Sequence, residues 1–273
     1  MYMAHFAVTD VARQRFRFAE KLSRGALGLA GAAGEPLRVW IDDWRLGSAA
    51  QGAVSGEHWR LHAANEQYEL DVEATPLMEP VLNGERGFSR KSDEPGSASY
   101  YYSIPRVAIS GRLVRDGRTQ TVHGLAWLDR EWGSGALGRR EQGWDWFALQ
   151  LKDGSALMFY SLRNRDGTRD PNSAGTWVSA TGESRALSNG DVQIEVGDRW
   201  ANARGDRYPS RWRVRVPAVG LDVDVRPVLA DQELSTSARY WEGAVDVSGA
   251  GADGKPVAGR GYVELVGYAG GGG

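Results

Sequence analysis

No cysteine occurs among the 273 residues, so disulfides and thiolate metal sites are excluded, while the redox compartment is left open. Charge of one sign is also missing: 33 basic and 35 acidic residues leave a formal net charge of −2, without long runs of either. Neither nucleic acid nor an anionic membrane is implied as a partner by that balance. No apolar run approaches the roughly 18 residues of a membrane span, and the N-terminal residues carry no secretory pattern. Against these gaps stand 11 tryptophans, 10 tyrosines and 36 glycines. Tryptophan and tyrosine bring large flat apolar surfaces with one polar edge each.

Apolar residues recur with period two between Gly, Pro, Asn and Asp punctuation, which marks strands and turns. The clearest hairpin is "WDWFALQL", "KDG", "SALMFYSLR", closed by "NRDG". Further strands are expected over 4–9, 37–42, 67–74, 106–114, 119–128, 174–180, 191–196, 211–216, 220–226, 240–248 and 256–268. Only 26–33 offers a short helix, so the chain reads as all-β.

The two halves echo each other. "LDVEATP" (70–76) matches "LDVDVRP" (221–227), and "AISGRLVRDG" (108–117) matches "DVSGAGADG" (246–254). "VHGLAWLDREWG" (122–133) then matches "VAGRGYVELVGY" (257–268), aligning Trp127 with Tyr262 and Asp129 with Glu264. A long-period repeat means tandem copies of one domain. Eight antiparallel strands close into a barrel with room for one small ligand, the lipocalin-like solution. Two such barrels are expected, over 1–142 and 143–273. The hairpin that opens the second has no counterpart in the first, so the first is expected to lack its opening strands.

Several local signals carry no weight. "GSGALG" at 133–138 spells a dinucleotide fingerprint but precedes no helix and sits in no βαβ unit. His58 and His62 have the spacing of a helical metal pair, yet on a strand they stand roughly 13 Å apart. His5 and His123 are isolated, and there is no Gly-x-Ser-x-Gly elbow for a serine nucleophile. Neither metal nor cofactor is therefore expected. The terminal "GGGG" reads as a flexible tail.

"AHFAVTD", "IDDW", "YYSIPR", "GLAWLDREWG", "GWDWFALQLKDG", "YWEGAVDVSG" and "GRGYVELVGY", in that order, resemble the AttH family, which includes the carotenoid 1,2-hydratases. The resemblance runs over nearly the whole chain. It implies two consecutive lipocalin-like barrels, a periplasmic or secreted location, and a hydrophobic polyene or isoprenoid-like ligand in an aromatic pocket. It also implies water addition to an alkene or a related acid-catalysed addition. A lipid or lipoprotein acyl-chain carrier is the non-catalytic alternative. In the hydratases the segment resembling "DREW" carries a His and a Trp implicated in catalysis, which map onto Arg130 and Trp132. A Tyr and an Asp from the strand resembling "LMFYSL" map onto Tyr160 and Leu162. Trp132 and Tyr160 match that pattern; Arg130 and Leu162 depart from it.

Adding water to an alkene needs a proton donor for carbon, stabilisation of the cation and a placed water. A carboxylic acid in a dry site has its pKa raised and serves as donor, and aromatic faces stabilise cations. Guanidinium does not release a proton at usable pH, so Arg130 is expected to orient a carboxylate. Glu131 is the expected acid, Arg130 its positioning group, and Trp132 and Tyr160 the pocket and cation-stabilising residues. Asp129, whose repeat partner is also acidic, reads as structural, as does Glu242. Alternation places Leu128, Arg130 and Trp132 on one face and Trp127, Asp129 and Glu131 on the other. Trp127, Trp144, Trp146, Gln150 and Trp241 complete the expected ligand-binding set.

Overall fold

The computed structural model describes residues 1–49, 58–133, 137–251 and 254–270. Strands dominate it, and the few helical segments are single 3-10 turns. None of the described helices is long and apolar enough to cross a membrane. The chain divides into two compact units. One gathers Met1–Asp10, Phe16–Glu79 and Arg106–Leu128; the other gathers Val11–Arg15, Pro80–Pro105 and Asp129–Gly273.

The first unit is built on antiparallel strands. Ala30–Ala33, Arg38–Ile41, Trp44–Ser48, Trp59–Ala64 and Tyr68–Pro76 follow one another in the sheet, and residues 107–115 of the strand Ala98–Arg115 pair with the last of them. Its core joins Phe6, Ala30, Ile41, Trp44, Ala63 and Tyr68, with Phe6 and Trp44 meeting edge to face at 5.9 Å. The helix expected over 26–33 does not form. Gly25, Leu27 and Gly28 all have positive φ, so the chain makes one 3-10 turn over Ala26–Gly28 and passes into the strand Ala30–Ala33. Left-handed residues at that density cannot continue an α-helix.

The second unit carries the hairpin read from the sequence. Glu141–Leu151 pairs with Ala156–Asn164, setting Trp146 opposite Tyr160 and Phe147 opposite Phe159. The turn is closed by Asp153, whose Oδ1 accepts from the Ser155 amide at 2.9 Å and hydroxyl at 2.6 Å. Gly154 supplies the φ of +99° that other residues resist. On its other edge, Glu141–Leu151 pairs with the late strand Pro256–Leu265, placing Val263 beside Phe147 and Glu264 beside Trp146. Gly261 is required there, because a Cβ would lie 2.3 Å from the Ala148 carbonyl oxygen. The sheet runs on through Arg239–Ala250, Leu221–Pro227, Trp212–Val216 and Gln193–Val196. Beyond Ala156–Asn164 it continues through Ala174–Val178 to Ser184–Leu187.

Side chains from both ends of this sheet meet in one cluster. Leu187 and Val192 join Phe147, Leu149, Phe159, Trp212, Val214, Trp241, Val263 and Leu265, so the sheet curls around a filled interior. Each such side chain, once removed from water, contributes on the order of 1.5–3 kcal/mol. Period two then dictates that the alternate residues of the same strands, Trp144, Trp146, Ala148, Tyr160, Tyr262 and Glu264, lie on the outer face. That face carries the candidate chemistry.

Candidate functional site

Two long strands, Ala98–Arg115 and Arg118–Gly133, bring polar side chains to the second unit. "SYYYS" at 99–103 alternates, so Ser99, Tyr101 and Ser103 share a buried face while Tyr100 points to solvent. Asp129 and Glu131 meet the buried face. The Tyr101 hydroxyl donates to Asp129 Oδ2 at 2.7 Å, and Ser103 donates to Oδ1 at 2.6 Å. Ser99 Oγ donates to Glu131 Oε1 at 2.5 Å, and Lys91 Nζ lies 2.8 Å from the same oxygen.

Lys91 is well buried and stands over the ring of Tyr160 at 4.0 Å and that of Tyr101 at 5.2 Å. Burial lowers its pKa, while the Glu131 and Asp129 carboxylates pull the other way. An ammonium between two aromatic faces is favourable, more so when desolvated. Tyr160 also bonds to Ser89 Oγ at 2.8 Å, and the Trp146 indole donates to the Tyr101 hydroxyl at 3.0 Å. Burial raises the pKa of both phenols, that of Tyr101 far above its ordinary value, with the Asp129 carboxylate adding to it. Both tyrosines therefore stay protonated throughout the physiological range, and Tyr101 keeps donating to Asp129.

The same face continues across the strands Pro256–Leu265 and Arg239–Ala250. Glu264 and Glu242 are direct cross-strand partners, followed by the pair Tyr262 and Ala244. The Trp144 indole donates to Glu264 Oε1 at 2.5 Å. Burial is the main cause that raises the pKa of both acids, and the neighbouring Glu264 carboxylate helps push Glu242 up to about 7. Asp129 and Glu131 also raise Glu264, so all four acids share one electrostatic environment.

The raised pKa of Glu242 has a consequence for stability. Its folded value, about 7, exceeds the ordinary 4.5, so the native state binds the proton more tightly than the unfolded chain does. The contribution is complete below about pH 4.5 and is lost as pH rises through about 7. Thermal melts should therefore show the wild type losing stability relative to Glu242→Gln across that interval. Parallel Tm–pH curves for the two proteins would contradict this.

The expected site residues fall into three groups. Glu131, Tyr160, Trp144 and Trp146 belong to the clustered face, and Gln150 lies further along it, donating to the Pro105 carbonyl at 2.7 Å. Arg130 and Trp132 lie on the opposite face of their strand. Lys91, not Arg130, is the cation beside Glu131, because adjacent strand residues point to opposite sides. Trp132 is 55% exposed and stacks on Tyr100 at 5.9 Å. Trp241 is in the filled interior, 1% exposed, with its indole donating to the Ala230 carbonyl. Trp127 is half-buried on Arg118–Gly133 and belongs to the other compact unit.

Lys91 sits in the loop-like segment "RKSDEPGS", which has no periodicity to orient it. The face made by Ser99, Tyr101 and Ser103 was visible in the alternation of "SYYYS". Asp129→Asn removes the charge from an acceptor of two hydroxyls and should cost about 1–3 kcal/mol of stability by chemical denaturation. A change within about 0.5 kcal/mol would contradict a structural role for this acid.

No group of three or more metal-ligating side chains occurs among the described residues. His5 bonds to Glu20 at 2.9 Å and His58 to Thr75 at 2.9 Å. Residues 134–136 of "GSGALG" and 271–273 of the glycine tail lie outside the described residues.

A sheet curled around its own side chains, in a chain of almost unbroken antiparallel strands, defines a lipocalin-like protein. The chain belongs to the AttH-like family, whose model matches residues 1–268. It superposes on the crystal structure of a protein from Nitrosomonas europaea assigned as an AttH. The TM-score is 0.86 at 34% identity, over 98% of this chain and 81% of that one. Kievitone hydratase from Nectria haematococca shares the fold, with a TM-score of 0.77 at 19% identity over 98% of this chain and 80% of that one. The dehydratase asqC of Emericella nidulans is 21% identical over 225 residues, 76% of this chain. That match spans 60% of the curated relative's length.

Proposed function

We propose that the protein binds a hydrophobic, unsaturated small molecule of polyene or isoprenoid type on this aromatic and acidic face and adds water across its double bond, or removes it. The observation that carries this reading is the Glu131–Lys91 ion pair at 2.8 Å, in which the lysine is buried and the carboxylate reaches solvent, beside the rings of Tyr160 and Tyr101 and on the same face as the half-buried acids Asp129, Glu242 and Glu264. Distant relatives named for adding or removing water support the same class of reaction.

Water addition separates two proton tasks: one group gives a proton to carbon, and another takes one from the attacking water. A carboxyl held beside an ammonium suits the second. Glu131 is accordingly assigned to activate the water, with Lys91 and Ser99 fixing its orientation. That assignment replaces the donor role expected from sequence. The half-buried face of Trp146 is suited to stabilise positive charge on carbon, while the buried ring of Tyr160 holds the Lys91 ammonium beside Glu131. Their phenol and indole edges are already committed to Ser89 and Tyr101, so the rings are held in place.

Native mass spectrometry of the purified protein, followed by extraction and identification of any released molecule, tests the ligand class. An unsaturated hydrophobic molecule is expected. A saturated acyl chain would favour the carrier, which needs no proton-transferring carboxyl.

A further inference from the structure

Glu242 and Glu264 stand directly opposite each other on neighbouring strands, a placement that costs stability when both are charged. Among the described residues neither forms a salt bridge with a basic side chain. Their hydrogen-bond partners are the Trp144 indole for Glu264 and the Tyr240 phenol for Glu242, and both groups can donate to a carboxylate but carry no charge. Tyr262 flanks the pair on the sheet, and the titratable groups Asp129 and Glu131 face Glu264 from the strand Arg118–Gly133. Lys91 is committed to Glu131. Two half-buried carboxyls on directly opposed positions, with no cation beside them among the described residues, resist ionising together, so that one proton is retained by the pair.

The geometry points to Glu242 and Glu264 as a single proton-holding unit that supplies the proton to carbon in the reaction proposed above. The inference rests on that reading and deepens it by naming the donor. The π electrons of the substrate double bond form a C–H bond with the proton of the pair, leaving the pair as two carboxylates. The water oxygen bonds to the other carbon while one of its protons passes to Glu131. Transfer of that proton from Glu131 back to the pair restores the starting state, so the net change is H and OH added across one double bond. Dehydration runs the same steps in reverse. Trp144, bonded to Glu264 and half-buried, places an aromatic surface beside the donor.

Two measurements test the proposal. In the first, NMR of isotope-labelled glutamate side chains follows the carboxyls of the intact protein through a pH titration, with Glu242→Gln and Glu264→Gln assigning the signals. One proton retained by the pair at neutral pH, and lost in either variant, is the expected result. Ionisation of both carboxyls together in the ordinary range would overturn the proposal without a substrate being involved, and would leave the hydration reading standing.

The second measurement uses acyclic isoprenoid alkenes in water enriched in heavy oxygen. Each Gln variant should lose about 10²-fold or more of the wild-type rate of label incorporation. Wild-type label with both variants within tenfold of it would overturn the donor role alone. Absence of label from every alkene, with the shared proton present by NMR, would instead remove the hydration reading and the donor role with it.

Discussion

Replacing Glu131 by Gln should lower turnover of an acyclic isoprenoid alkene by the roughly 10²–10⁴-fold typical of a lost general acid–base group, while substrate affinity changes little. Gln keeps the shape of the side chain and accepts the Ser99 hydrogen bond, made at 2.5 Å in the native protein. It cannot take a proton from water, and it leaves Lys91 without its carboxylate. Initial rates and equilibrium binding measured on the same variant separate the two effects. Reduced affinity with unchanged turnover would assign Glu131 to ligand binding. Unchanged values of both would remove it from the site. Arg130→Met serves as the control, because Arg130 points away from Glu131 and the substitution should leave turnover within a few-fold of wild type.

The second large effect concerns stability. Trp241→Ala should destabilise the protein by about 3–5 kcal/mol, the range for deleting a large buried aromatic side chain. Trp241 is 1% exposed, lies against Trp212 with ring centroids 6.5 Å apart, and donates its indole N–H to the Ala230 carbonyl. Truncation leaves both a cavity and an unsatisfied acceptor. Chemical denaturation reads the loss directly. A folded, equally stable variant with weakened ligand binding would restore Trp241 to the ligand-lining role expected from sequence.

Much of the fold was legible because strands write their period into the sequence. The hairpin around Lys152–Gly154 follows from an apolar alternation interrupted by an Asp-Gly turn, and its register sets Trp146 opposite Tyr160. The sharing of a face by Trp144, Trp146, Ala148 and Gln150 followed from the same period. Period two does not say which face is inside. Phe147, Leu149 and Leu151 fill the curled sheet, and the tryptophan face turned out to be the outer one. Trp241 illustrates the same ambiguity from the other side, since its alternate neighbours Glu242 and Ala244 share the outer face while it is buried.

Strands such as Arg15–Ser23, Trp44–Ser48 and Trp59–Ala64 carry only two or three alternating apolar positions each, Phe16 and Phe18, Trp44 and Leu46, and Trp59, Leu61 and Ala63, which is too short a run to stand out in the sequence. The site was legible in part. Separating Glu131 from Arg130 and Trp132 required only alternation. Finding Lys91 required the tertiary path of an aperiodic segment. The pairing of Glu242 with Glu264 required the register of Arg239–Ala250 against Pro256–Leu265, which no local pattern fixes. Asp129 and Glu264, expected from the repeat to be counterparts, each accept a hydrogen bond from an aromatic side chain, Tyr101 and Trp144 respectively.

The central claim is that this face adds or removes water at a carbon–carbon double bond. Incubation of the wild-type protein with a panel of acyclic isoprenoid alkenes in water enriched in heavy oxygen, followed by mass spectrometry, tests it most directly. The account predicts a product heavier by one water, with the heavy oxygen bonded to carbon and its formation strongly diminished in Glu131→Gln. Recovery of every alkene unchanged, together with tight binding of one of them, would contradict it and identify the protein as a carrier.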